Sequence, residues 1–382
     1  MQTWKWLYTP SRPFTWRFVR RVLLKAALLF VALNLLWAAA DPLPALGRIS
    51  LYNTLLPGRT RLPYGENPAE AFNLSLYSLD AMLAAHALAD ADEDAFRVLL
   101  MGDSSVWGIL LEPEETLAGQ LNAADLRAPD GRRVRVYNLG YPTMSLVKDL
   151  MLLDYGLRTQ PDLVVWLFTL ESFGGRAQLD SALVQNNAER VRRLIRTYGL
   201  DQNPDDPRLV EPGFWERTLV GQRRALADWL RLQLYGVMWA LTGVDQHYPD
   251  DYTPRAVDLA DDPTWHGLAE DQFSPQDLAF DVLRAGVERA GSMPILLVNE
   301  PIFISQGANS DLRYNAFYPR WAYDAYRAEL HALSEAQGWP LLDLWDALPD
   351  VDCYTDSAVH LTPACSGQLA DMVGAAIVQA AG

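Results

Sequence analysis

Ser104, Asp356 and His360 are the residues whose types and placement could do chemistry. A serine hydroxyl is a weak nucleophile. It needs a base within hydrogen-bond reach, and the base needs a carboxylate to orient it. Ser104 ends the tripeptide Gly102-Asp103-Ser104, while Asp356 and His360 fall in the late run Asp352-Cys353-Tyr354-Thr355-Asp356-Ser357-Ala358-Val359-His360-Leu361-Thr362-Pro363. Brought together they would attack an acyl carbonyl and hold the acyl group on Ser104. Backbone N–H groups of Ser104 and Gly140 would then face the developing oxyanion, where losing one donor typically costs about 3 kcal/mol of barrier. Asp352 is a second possible orienter, and Asp103 reads as the side chain that holds the turn. The structural alternative makes Ser104 an ordinary helix N-cap and His360 a loop or packing residue.

These residues need a scaffold that gathers distant segments. Val98–Met101 is a short apolar run stopped by Gly-Asp-Ser, as expected of a strand buried on both faces of a parallel sheet. Val134–Leu139, Asp162–Thr169, Pro294–Val298 and Pro340–Leu344 read as further strands. Helical patterns at Thr116–Leu126, Ser145–Leu157, Asp277–Ala290, Arg320–Gln337 and Ala364–Ala380 lie between or after them. Strands alternating with helices argue for right-handed βαβ units. Ser104 then sits beyond the carboxyl end of a strand, where open α/β sheets bind ligands. Thr362 with Pro363 suits the start of the last helix.

The chain has 382 residues, 50% of them hydrophobic, enough for a large core. Lys5, Arg12, Arg17, Arg20, Arg21 and Lys25 precede the first acidic residue, Asp41. Setting those six aside leaves 26 basic against 48 acidic residues, a formal charge of −22 for residues 26–382. Such a body repels phosphate backbones and argues against nucleic acid as a partner. Val22–Ala40 is long and apolar enough to cross a bilayer, with its basic flank, residues 1–21, on the cytoplasmic side. Ala38-Ala39-Ala40 also resembles a signal-peptidase site, and Arg20-Arg21 a twin-arginine signal. Anchor and cleaved signal both place residues 41 onward outside the cytoplasmic membrane. Residues 41–75, rich in proline and glycine, read as a linker ahead of a domain over 76–382.

Cys353 and Cys365 would form a disulfide in an oxidising compartment, closing a loop of about thirteen residues around His360 and adding roughly 3 kcal/mol; the alternative is two buried thiols. Residues 174–275 lose the βα period and read as a helical insertion, a cap over the sheet or an arm packed elsewhere, with helices at Ser181–Tyr198 and Gln222–Leu241. Its Trp215, Trp229, Trp239 and Trp265 are expected mostly in the core. His86 and His331 read as packing residues, His247 and His266 as isolated, and no spacing implies a metal. The sequon at Asn73 carries no further information.

The arrangement resembles the SGNH (GDSL-type) hydrolases, in a membrane-anchored form. The resemblance rests on Gly102-Asp103-Ser104, on Gly140 after the second strand, and on Asp356 and His360 before the C-terminal helix. It covers about residues 96–173 and 277–380. It implies an α/β fold, a flavodoxin-like parallel sheet sandwiched by helices, with acyl-ester chemistry at Ser104, His360 as base, Asp356 as its partner, and no cofactor. The family pattern usually has Gly-x-Asn-Asp after the third strand, where this chain has Thr169-Leu170-Glu171-Ser172, so Thr169 and Glu171 become possible substrate contacts and a carboxylate replaces an oxyanion donor. The Asp also precedes the His by four residues rather than three. The expected function is an outward-facing serine esterase or O-acyltransferase on acetyl esters of envelope or extracellular glycans, or on small esters. A lipid esterase and a non-catalytic glycan-binding or assembly protein of the same fold are the alternatives.

Overall fold

The computed structural model describes residues 15–65, 74–209, 211–247 and 251–382. Residues 1–14 of the basic flank and Asn73 of the sequon lie outside them. The chain divides into two compact units, residues 1–43 with 212–227, and residues 44–211 with 228–382.

In the first unit, α1 runs over Trp16–Ala40, longer at its amino end than the hydropathic core alone suggests. Thr15 caps it by accepting the Phe18 N–H at 3.3 Å. Its apolar side chains are exposed nearly all round, which distinguishes it from a helix buried in a soluble core. Only its last turns are engaged. Asn34 Oδ1 accepts the Val220 N–H at 3.0 Å, Trp37 Nε1 donates to Gln222 Oε1 at 2.8 Å, and Gln222 Nε2 donates to Asp41 Oδ1 at 3.1 Å.

The second unit is a five-stranded parallel sheet: β1 Phe96–Met101, β2 Val134–Asn138, β3 Leu163–Phe168, β4 Ile295–Asn299 and β5 Leu341–Asp343. The spatial order β2-β1-β3-β4-β5 is the flavodoxin-like doubly wound order. In chain order the helices are α2 Leu43–Gly47, α3 Leu51–Leu55, α4 Leu79–Ala84, α5 Ser104–Trp107, α6 Leu117–Ala123, α7 Leu146–Gly156, α8 Ala182–Asn186, α9 Ala188–Tyr198, α10 Arg223–Thr242, α11 Phe280–Ala290, α12 Arg320–Gln337 and α13 Pro363–Ala380.

Alternation along the strands builds two cores from one sheet. Leu99, Met101, Val164, Trp166, Phe168 and Leu297 face one side and pack with α7, α11 and α12. Val98, Leu100, Val165, Leu167 and Val298 face the other and pack with α6 and α13. Because both faces are covered, β3 and β4 are buried along their whole lengths.

Two expectations about organisation change. Residues 41–65 of the stretch read as a linker are folded: α2 and α3 lie within them, and Tyr52, Arg61 and Leu62 are buried. Its prolines and irregular pattern hid this, because its burial depends on partners far away in the chain. Arg61 Nη1 donates to the carbonyls of Gly108 at 3.0 Å and Leu111 at 2.9 Å, and the guanidinium sits 4.5 Å over the Trp107 ring. Burial lowers the Arg61 pKa to about 10, with Glu112 and Glu114 opposing the shift.

The insertion is not one element. Leu183, Val184, Val191, Leu194 and Ile195 of α8 and α9 join the core beside α7, as an arm packed elsewhere would. Residues 251–273 instead reach the loop that carries Asp356 and His360. Of the four tryptophans, Trp265 is buried, Trp229 and Trp239 are half-buried, and Trp215 is exposed.

Candidate active site

Gly102 follows β1 with φ of +157°, near the extended limit, and a Cβ there would lie 2.6 Å from Val106 Cγ2. The chain therefore turns sharply into α5, with Ser104 as its first residue. Asp103 is the N-cap, its Oδ1 accepting the Ser105 N–H at 2.8 Å, so the expected turn-holding role is what the side chain does. As the first helical residue, Ser104 has an N–H with no intrahelical acceptor.

At the other end of the chain, the Thr355 N–H donates to the His360 carbonyl at 2.9 Å and the Thr362 N–H to the Cys353 carbonyl at 2.8 Å. This closes a tight loop, and the Cys353–Cys365 disulfide pins its base to α13, with Cα atoms 5.3 Å apart. The four-residue spacing of Asp356 and His360 is accommodated by that loop. His360 Nδ1 lies 2.7 Å from Asp356 Oδ1, and His360 Nε2 lies 2.8 Å from Ser104 Oγ.

Asp356 accepts from Nδ1–H, which leaves Nε2 as the acceptor for the Ser104 hydroxyl. Burial acts to raise the Asp356 pKa, but the His360 hydrogen bond and charge, with a backbone N–H and the Thr355 hydroxyl, outweigh it and hold the carboxyl below its usual range. A charged carboxylate is therefore in place to stabilise an imidazolium.

Gly140 behaves differently from the sequence reading. Its N–H already donates to Asn138 Oδ1 at 2.9 Å, so it is not presented to an oxyanion in this arrangement. Its small size matters instead, because a Cβ would come within 2.4 Å of the Trp107 backbone nitrogen. Glycine lets the turn after β2 lie against α5, and Asn138 Nδ2 donates to the Val106 carbonyl at 2.7 Å in the same contact.

Thr169 and Glu171 follow β3. Thr169 is fully buried beside the Tyr318 and Tyr323 hydroxyls, which removes it as a surface contact. Glu171 pairs with His266 Nε2, at 2.8 Å through Oε1 and 3.0 Å through Oε2. The Glu171 hydrogen bond raises the His266 pKa against partial burial. The carboxylate that replaces an oxyanion donor is thus held by a histidine that looked isolated in the sequence. His247 likewise pairs with Glu112 at 2.6 Å. Among the described residues no cluster of His, Cys, Asp and Glu is placed to hold a metal.

Three supporting groups gave no sequence signal. Lys148, fully buried on α7, donates to the Gly102 carbonyl at 2.7 Å and the Tyr141 carbonyl at 3.3 Å, and sits 2.5 Å from Asp149. It ties the turn before Ser104 to the turn after β2. Glu300, just past β4, accepts from the Ser105 hydroxyl. Burial first, and Asp103 next, push its pKa well up. Glu300 Oε1 and Asp103 Oδ2 are both buried with no hydrogen-bond partner. Arg255, from the insertion, donates through its guanidinium to the Val351 and Tyr354 carbonyls and through its backbone N–H to the Thr355 carbonyl, clamping the loop of the base.

No family model and no curated protein matches the sequence. Among solved structures, a lipase/acylhydrolase from Enterococcus faecalis is similar at 16% identity and TM-score 0.37, over 74% of this chain and 95% of that one. A carbohydrate acetylesterase family member from Sinorhizobium meliloti is similar at 13% identity and TM-score 0.35, over 75% and 98%. A member of the lipolytic protein G-D-S-L family from Veillonella parvula DSM 2008 follows at 9% identity and TM-score 0.35, over 74% and 98%. Identities and scores this low carry no conclusion about what this chain acts on.

Proposed function

We propose that this chain is a membrane-tethered serine ester hydrolase or O-acyltransferase of the SGNH type, working outside the cytoplasmic membrane on acetyl esters of envelope or extracellular glycans. The observation that carries the chemistry is the continuous line from Asp356 through His360 to the Ser104 hydroxyl, with contacts of 2.7 and 2.8 Å.

In this reading Ser104 Oγ adds to the acyl carbonyl while its proton moves to His360 Nε2. The Ser104 N–H receives the developing oxyanion, and Asp356 stabilises the imidazolium. Collapse of the tetrahedral species breaks the acyl–oxygen bond, and the leaving hydroxyl takes the proton from Nε2. Water or a second sugar hydroxyl then attacks the Ser104 ester with His360 again as base, giving hydrolysis or transfer according to how well water is excluded.

The glycan assignment rests on the family resemblance. Tethering is supported by α1, an exposed apolar helix of 25 residues, about 37 Å long at 1.5 Å per residue. The Cys353–Cys365 bridge fits an oxidising compartment.

The test is reaction of the purified protein with a fluorophosphonate, beside turnover of p-nitrophenyl acetate and release of acetate from acetylated polysaccharide. Labelling of wild type and loss of labelling in Ser104→Ala supports the enzyme. An unlabelled, inactive wild type makes the protein a binding module instead. Cleavage of long-chain lipid esters in preference to acetyl esters moves the substrate to lipid.

A further inference from the structure

We propose that the outer face formed by α3 and the second half of α10 seats on the phospholipid surface that α1 crosses, so that the body rests on the bilayer instead of hanging from it. This rests on the reading of α1 as an uncleaved anchor.

The face is built, not frayed. On α10, Leu230, Leu234, Met238 and Leu241 recur at four-, four- and three-residue spacing and form one exposed apolar stripe, with Leu234 and Leu241 each 71% exposed. The opposite side of the same helix is fixed to the body. Gln233 Oε1 accepts the Leu51 N–H at 2.8 Å, its Nε2 donates to the Ile49 carbonyl at 2.9 Å, and Gly236 lies so close to Tyr52 that a Cβ would be 2.1 Å from the ring. Rotation that would hide the stripe is therefore blocked. Leu51 and Leu55 of α3, four residues apart on one side of that helix, are exposed as well.

Continuity with the anchor selects lipid as the occupant. Leu51 follows the end of α1 by eleven residues, which span no more than about 38 Å even if fully extended. The residues just before α10, Val220 and Gln222, are hydrogen-bonded to Asn34, Trp37 and Asp41 in the last turns of α1. Both segments that carry the stripe are thus tied by the chain to the point where the anchor ends. The local charge agrees: although residues 26–382 carry −22, the stretch from Trp229 to Thr242 holds a single charge, Arg231, which is paired with Asp228 at 3.1 Å. The apolar side of a helix lying in the interface buries at the headgroup and acyl boundary, which is where this stripe would sit.

The full chain, with its two natural cysteines held in the disulfide, is reconstituted into phosphatidylcholine/phosphatidylglycerol vesicles after one substitution at a time: Leu234→Cys, Met238→Cys, Leu29→Cys within the anchor, or Ala332→Cys on the exposed side of α12. Each thiol carries an environment-sensitive fluorophore, and the lipids are brominated near the headgroup or deep in the tails. The expected result is at least a two-fold loss of emission at positions 234 and 238 with shallow bromines, deep quenching at 29, and none at 332. Deep quenching at 29 with 234 and 238 as unquenched as 332 leaves the anchor standing and overturns the docking face. No quenching at 29 overturns the anchor reading and this inference with it. Energy transfer between copies at 234, without bromine quenching, shows a second copy on the face and overturns lipid as its occupant.

Discussion

Replacing Lys148 by methionine probes how the buried interior holds the nucleophile without touching it. The ammonium bonds the carbonyls of Gly102 and Tyr141 and faces Asp149 at 2.5 Å. Breaking a buried ion pair costs 3–5 kcal/mol when the remaining charge is stranded. Here burial already raises the Asp149 pKa, so the lone carboxyl takes up a proton, and the cost should sit near the low end, about 3 kcal/mol. Against a total stability of roughly 5–15 kcal/mol the variant stays folded at 25 °C. Its Gly102 carbonyl, two residues before Ser104, loses an anchor, and a drift of about 1 Å at a nucleophile is worth about a hundredfold in rate. Urea unfolding reads the first effect; kcat for p-nitrophenyl acetate and the fluorophosphonate labelling rate read the second. The double variant Lys148→Met with Asp149→Asn should recover at least half the stability while kcat stays depressed and KM changes little. Full recovery of kcat in the double variant, or a single variant within 1 kcal/mol of wild type, refutes the positioning role.

Asp356→Asn should keep KM and lower kcat about 10³–10⁴-fold, as expected when the base loses its orienting carboxylate, measured at saturating ester. Glu300 has a raised folded pKa, so its contribution to stability is fully present below the unfolded carboxyl value near 4.3 and is lost as pH rises through the folded one. Glu300→Gln should therefore match wild type at pH 4 and gain about 1–2 kcal/mol at pH 8 by denaturant unfolding, because a neutral amide cannot ionise in that buried place; an unchanged pH profile removes that role. Gly140→Ala should cost more than tenfold in labelling rate because its methyl meets the Trp107 backbone, and wild-type labelling would show that α5 yields freely. Reduction of Cys353–Cys365 should lower stability by about 3 kcal/mol and broaden the loop of His360, read as a fall in both Tm and activity.

The sheet was legible because its strands are short apolar runs ended by turns, a pattern set by burial on both faces, and the observed β1 to β5 lie within a residue or two of those runs. The long helices α12 and α13 were legible for a similar reason, their periodic faces and caps being local. The meeting of Ser104, His360 and Asp356 was also readable, since each occupies a strand end or the residues before a helix. The support was not. Lys148, Glu300 and Arg255 look like ordinary charged residues in their own neighbourhoods, and only tertiary contact makes them partners of carbonyls and carboxyls around Ser104. Gly140 shows the reverse error, a residue read as a donor that the fold uses for its missing side chain. His266 and Glu171, ninety-five residues apart, pair with one another in a way no local pattern could encode.

Arg61 decides where this protein can be cut. A protease severing the chain just after Ala40 would free a body that still holds its guanidinium in the carbonyls behind the nucleophile helix. Cleavage a few residues beyond Leu62 would withdraw that bolt and leave Trp107 and the end of α5 without their brace. Shedding and inactivation are therefore separated by little more than twenty residues of one folded tract.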